Sequence, residues 1–250
     1  MTAQQGQGSD WLQTFLPLGC LHDGEWEPRG GGVLLLDRPV IWLVTARAAL
    51  EGLGDRPLHT WVPREQGGAF LDLTASQRQA GIDWIHHPTG LSATLFPTDD
   101  SFRIRAFTEA QCTRVRKLTP LQPVATIGCL YGPDIEQQPQ PTKAVLDGII
   151  SSVNAQTGTI YSTAAMLPNN AGAPLLLASP YGGAVTLAGV LLGDAMAAAG
   201  DPRALPVRLG RAICVDAALE LVRGKQAEAQ RRGVSERAQA PNGDDAGGNP

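Results

Sequence analysis

The residues best able to do chemistry in this chain are few and scattered. His86 and His87 are adjacent and Asp83 stands just before them, a grouping that invites a metal or general-base role. A metal site needs three or more convergent ligands, and Asp83 is only one further candidate. The expectation is therefore a pair of exposed loop histidines and no metal. His22 and His59 have no chemically useful company in the sequence, and the paired carboxylates Asp99 and Asp100 are expected in a solvated turn. Cys20, Cys112, Cys129 and Cys214 form no CxxC pair, which argues against a zinc knuckle or a dithiol redox motif. They are expected as buried small hydrophobes.

Hydroxyl chemistry is the other possibility. Ser151, Ser152, Ser162 and Thr163 precede a loop of small residues, MLPNNAGAPLLL, at 166–177. A hydroxyl nucleophile needs an imidazole to take its proton and a carboxylate to hold that imidazole. The loop itself contains no Ser, Thr or Cys. Gly30, Gly31 and Gly32 lack the GxxxxGK[ST] pattern and lead into an apolar run, so they fit a turn or bulge entering a barrel better than a phosphate cradle.

The elements that would position these residues read as strands. The chain has 29 Gly and 19 Pro in 250 residues, a composition that favours short strands joined by turns. Apolar runs bounded by turn formers recur at 32–37, 40–46, 93–97, 123–129, 144–153, 158–164, 174–179, 184–193 and 211–215. One or two helical turns are expected at 45–53 and a helix at 215–232, where Arg223, Lys225, Arg231 and Arg232 would cover its end. Residues 1–9 and 226–250 are poor in large apolar side chains and are expected as disordered tails.

A formal net charge of −4 gives no electrostatic case for nucleic acid. The sequence shows no export signal and no apolar run long enough to span a bilayer. A cytoplasmic protein with no membrane partner is expected.

Three segments, in one order, resemble the trypsin-like serine protease superfamily, and most closely its HtrA-like single-domain branch. GGGVLLLDRPVIWLVTARAAL is similar to the family's glycine-rich start, two strands and the turn that carries histidine. HHPTGLSATLFP is similar to the segment in which aspartate precedes a strand, and DGIISSVNAQTGTIYSTAAMLPNNAGAPLLLASPYGGAVTLAGVLLGD to the nucleophile loop with its flanking strands. VRLGRAICVDAALELV looks like the last strand and C-terminal helix. The resemblance covers roughly 15–225 and is weak over 54–80 and 98–120.

It implies an all-β fold, a trypsin-like double six-stranded antiparallel β-barrel with a C-terminal helix, occupying 10–225 and dividing near 110–120. The histidine position falls on Ala48, the aspartate position on Leu91 and the serine position on Ala171. The family's Gly-Asn-Ser-Gly-Gly-Pro becomes Asn169, Asn170, Ala171, Gly172, Ala173 and Pro174, in which Ala173 adds a Cβ where the family has glycine. Ser162, Thr163, Ala164 and Ala165 fall where the family lines a specificity pocket. The reading is a catalytically inactive pseudoprotease, without cofactor, that binds a peptide or protein in the cleft between the barrels. The alternative is a serine endopeptidase, with a relocated nucleophile or as an active parent engineered at Ala48 and Ala171.

Overall fold

The computed structural model describes residues 10–130, 141–164, 166–167, 169–177, 184–197 and 207–239. The architecture is all-β with C-terminal helices. Its N-terminal half is one antiparallel sheet of β1 (Phe15–His22), β2 (Glu25–Asp37), β3 (Val40–Ala46), β4 (Leu58–Pro63), β5 (Gly68–Asp72), β6 (Ile85–His86) and β7 (Leu91–Leu95), in the order β5-β4-β1-β2-β3-β7-β6. Asp23 and Gly24, both with positive φ, make the two-residue turn between β1 and β2, the backbone choice that matches strand twist in a tight hairpin.

The C-terminal half comprises β8 (Pro123–Leu130), β9 (Thr142–Asn154), β10 (Thr159–Ser162), β11 (Pro174–Leu177), β12 (Thr186–Ala197) and β13 (Val207–Cys214). These close as a six-stranded barrel in the order β10-β13-β12-β11-β8-β9. The N-terminal sheet has seven strands where six were expected. The segment after β7 turns back across it: Arg103 N–H donates to Pro63 at 2.7 Å and Phe107 N–H to Leu34 at 2.8 Å.

The apolar runs of β2 and β3 are continuous because both faces are buried. Leu34 and Leu43 point into a core private to the N-terminal sheet, with Leu16, Leu18, Leu58 and Phe96. Val33, Leu35, Trp42 and Val44 point the other way, into a core shared with Ile127, Leu175, Val190 and Ala212 of the barrel. The two halves are thus joined by a common hydrophobic layer.

Helix α1 (Leu73–Ala80) occupies a stretch where no helix was expected. Asp72 caps it by accepting the Ala75 N–H at 2.8 Å, and Gly81 ends it at φ 61. The expected C-terminal helix is two: α2 (Val215–Arg223) and α3 (Lys225–Gln239), parted at Gly224, whose φ −67 and ψ 168 are extended. The second helix runs into residues assigned above to a disordered tail, a correction with a physical basis. Ala227 is buried, Gln230 donates to the Asp83 carbonyl at 2.9 Å, and Arg231 bonds the Asp37 carboxylate and the Val222 carbonyl while lying 5.6 Å from the Trp42 ring centroid. Arg231 is therefore an anchor and not a surface cover. The remaining expected tail, 1–9 and 240–250, lies outside the described residues. Among the described residues no helix is long and apolar enough to cross a membrane.

Candidate functional site

The site is built where β3 ends. Ala46 pairs with Leu91 across β3 and β7, and the next N–H, of Arg47, donates to Gly90 at 2.7 Å. The chain then makes a single 3-10 turn, Arg47–Ala49, which buries Ala49 and leaves Ala48 exposed. This tight turn stands where one or two helical turns were expected. Leu91, opposite, is fully buried in the shared core.

The loop of small residues docks onto this corner. Asn169 adopts φ 58 and Gly172 φ 92, left-handed values that asparagine and glycine tolerate best. Gly31 N–H donates to the Ala171 carbonyl at 2.8 Å and Gly172 N–H to Leu191 at 2.7 Å. Ala173, the added Cβ, is accommodated: it is buried, its N–H reaches the Asn170 carbonyl at 3.1 Å, and its carbonyl accepts from Leu191 at 2.8 Å.

Gly30–Gly32 lie inside β2, next to a register shift against β1, and do not form a turn. A Cβ at Gly30 would sit 2.5 Å from the Ala171 carbonyl oxygen and 2.7 Å from the Ala49 Cβ. Glycine here lets the loop and the 3-10 turn press on one strand from the same side. The positions resembling a catalytic triad therefore share one corner: Ala48 on the turn, Ala171 on the loop bonded to β2, and Leu91 on the strand beside β3. Two methyl groups and an isobutyl group stand there. None can attack a carbonyl, accept a proton or balance an imidazolium.

The segment expected to line a pocket lies across the barrel. Ser162 and Ala164 are buried and Thr163 is exposed; Ala165 lies outside the described residues. Gly148 admits this segment, since a Cβ there would meet the Ala164 nitrogen at 2.3 Å, and Thr163 is fastened to Ile149 by two 3.0 Å bonds, N–H to carbonyl and Oγ1 from N–H. Among the described residues, the Ser162 hydroxyl and both polar atoms of the Asn170 side chain are buried without a hydrogen-bond partner. Unmet buried groups cost about 1–3 kcal/mol each, so the loop and its approach carry a local energetic burden.

The histidines are placed differently from each other. His86 is exposed, and its Nδ1 lies 2.8 Å from the Ser92 hydroxyl. Burial, and then the nearby Arg47 charge, lower its pKa. This hydroxyl–imidazole pair has the composition of a nucleophile and base, but Ser92 is 0% exposed and meets no substrate. His87 corrects the expectation of an exposed loop residue: its side chain is 16% exposed and lies 2.8 Å from Thr89 Oγ1 and 3.7 Å from the Glu220 carboxylate on α2. No group of three or more potential metal ligands occurs among the described residues.

Cys20, Cys129 and Cys214 are buried thiols outside any disulfide, whereas Cys112, also outside one, is only half-buried. Burial pushes the Cys112 thiol up to about 12, which removes it as a nucleophile near neutral pH. Sequence reasoning passed over Arg47 and Ser92. The signal for Arg47 was its place immediately before Ala48; Ser92 gave none, since a serine in a strand is unremarkable.

No protein-family profile matches the chain, and no curated protein matches it. Fold and site together define a β protein with a closed six-stranded C-terminal barrel, a seven-stranded N-terminal sheet, and a glycine-dependent loop of small residues docked where the halves meet.

Proposed function

We propose that this chain is a pseudoprotease of trypsin-like, HtrA-like descent, a non-catalytic module that binds an extended peptide or protein segment between its two β units. The observation that supports the reading is the shared corner of Ala48, Leu91 and Ala171, the three positions that resemble a triad, where no side chain of the three can act as nucleophile, base or counter-charge. Leucine at 91 is chemically consistent with an alanine at 48. Once no imidazolium needs balancing, a buried carboxylate there is an uncompensated cost. Strand addition along an edge of the cleft is the mode this architecture makes most available.

The test is incubation of the purified chain with an unfolded protein substrate, followed by mass spectrometry of the products, with binding of extended peptides measured in parallel. Peptide binding without cleavage supports the reading. Specific cleavage supports the endopeptidase alternative and ends the pseudoprotease account.

A further inference from the structure

Two basic side chains stand at the corner just described, and among the described residues neither has an acidic partner. Arg47 is exposed on the 3-10 turn, its backbone fixed by the 2.7 Å bond to Gly90. His86 is exposed on β6, opposite Ser92, which in turn lies beside Thr45 of β3. Neither makes an ion pair among the described residues, although Arg29, which reaches the Glu51 carbonyl beyond the same turn, is paired to Glu27.

We propose that this corner recognises a carboxylate of the bound peptide, held between the Arg47 guanidinium and the His86 imidazole. The inference rests on the peptide-binding reading above and adds the chemistry of the ligand. A guanidinium presents a planar fork that matches the two oxygens of a carboxylate. The His86 Nδ1 is engaged with the Ser92 hydroxyl at 2.8 Å; in the tautomer that accepts from this hydroxyl, Nε2 carries the proton and donates without needing to be charged. The Arg47 charge acts on His86 closely enough to disfavour its protonation, after burial as the larger cause. A bound anion offsets the Arg47 charge. Two basic groups at this corner, without an ion-pair partner among the described residues, make a natural seat for an anion.

The carboxylate has two possible sources, a peptide C-terminus or an internal Asp or Glu. Two libraries of immobilised seven-residue peptides, one with free and one with amidated C-termini, separate them when probed with the full chain. Enrichment confined to free termini assigns the C-terminus; enrichment in both, with Asp or Glu at one fixed position, assigns the side chain. In either case Arg47→Gln weakens binding of the enriched peptide by roughly tenfold, and His86→Gln weakens it to a lesser degree. Arg47 is exposed, so Arg47→Gln is expected to fold. Enriched peptides with no carboxylate in common, or undiminished binding by Arg47→Gln, overturn this inference and leave peptide binding standing. Enrichment of no peptide in either library overturns both.

Discussion

The backbone N–H of Gly31 donates to the carbonyl oxygen of Ala171 at 2.8 Å, fastening the loop of the C-terminal half to a strand of the N-terminal sheet. This bond forms only because three nearby positions are glycine or small. It makes the docking corner a part of the fold's stability.

Gly172 is the most constrained of these positions. A Cβ there would lie 2.0 Å from the Gly31 carbonyl oxygen and 2.2 Å from Thr45 Oγ1, on a backbone at φ +92. Gly172→Ala is expected to cost about 3 kcal/mol or more. Gly54→Ala, at φ +56 with nothing within 4 Å, carries only the backbone strain and is expected to cost about 1 kcal/mol. Urea denaturation of both variants checks the difference, and equal losses would count against tight docking.

Placing triad residues at the positions that resemble a triad tests the pseudoprotease reading. Ala48→His with Ala171→Ser adds polar groups at an exposed and a half-buried position and is expected to fold without detectable proteolysis. Adding Leu91→Asp places a carboxylate at a fully buried core position, with an expected further loss of about 3 kcal/mol or more. Thermal unfolding and peptidase assays read the two effects separately.

Lys143 gives the fold a defined alkaline response. Its ammonium donates to the Leu12 and Phe15 carbonyls at 2.6 and 2.8 Å and lies 5.6 Å from the Phe15 ring centroid. Burial lowers its pKa from 10.5 to about 8. The folded state therefore binds fewer protons than the unfolded state between these values, and this group's contribution to stability rises with pH across that window. The Cys112 thiol, pushed up from 9.0 to about 12, has the opposite sign: its contribution falls as pH rises through that range. Comparing wild type with Lys143→Met from pH 7 to about 10.5 isolates the lysine. The variant is expected to lack the rising component, and parallel curves would refute the assignment.

The attachment of α3 depends on Arg231. Its guanidinium reaches Asp37 on β2 and the Val222 carbonyl of α2 while lying over Trp42. Arg231→Ala is expected to raise amide hydrogen exchange throughout α3 and to lower global stability by about 1–3 kcal/mol. Arg232→Ala, whose partner Glu228 lies on the same exposed helix face, is expected to change stability by less than about 0.5 kcal/mol.

Two of the strands legible in the sequence are buried on both faces. VLLL and VIWLV are continuous apolar runs because β2 and β3 separate two cores. The strands β1, β4, β5 and β6 were passed over for local reasons. β1 carries Pro17 and Gly19, β4 mixes His59 and Thr60 with its apolar residues, and β6 is only Ile85–His86. Helix α1, LTASQRQA, shows little apolar pattern and owes its limits to the Asp72 cap and Gly81.

At the site, segment order singled out Ala48, Leu91 and Ala171. The role of Gly30–Gly32 was not legible, because a glycine cluster looks the same in sequence whether it forms a turn or lies flat beneath a loop from residues 140 positions away. The pairing of Arg231 with Asp37 was equally hidden, since it joins α3 to a strand near the chain's start.

The most direct test of the central claim is reaction of the folded chain with a serine-reactive fluorophosphonate, read by intact mass and peptide mapping, beside an active serine protease as control. The account predicts no added mass, because Ala48, Leu91 and Ala171 offer neither nucleophile nor base and Ser92 is sealed in the core. Stoichiometric labelling of any serine or threonine would contradict it and would identify the nucleophile of an enzyme.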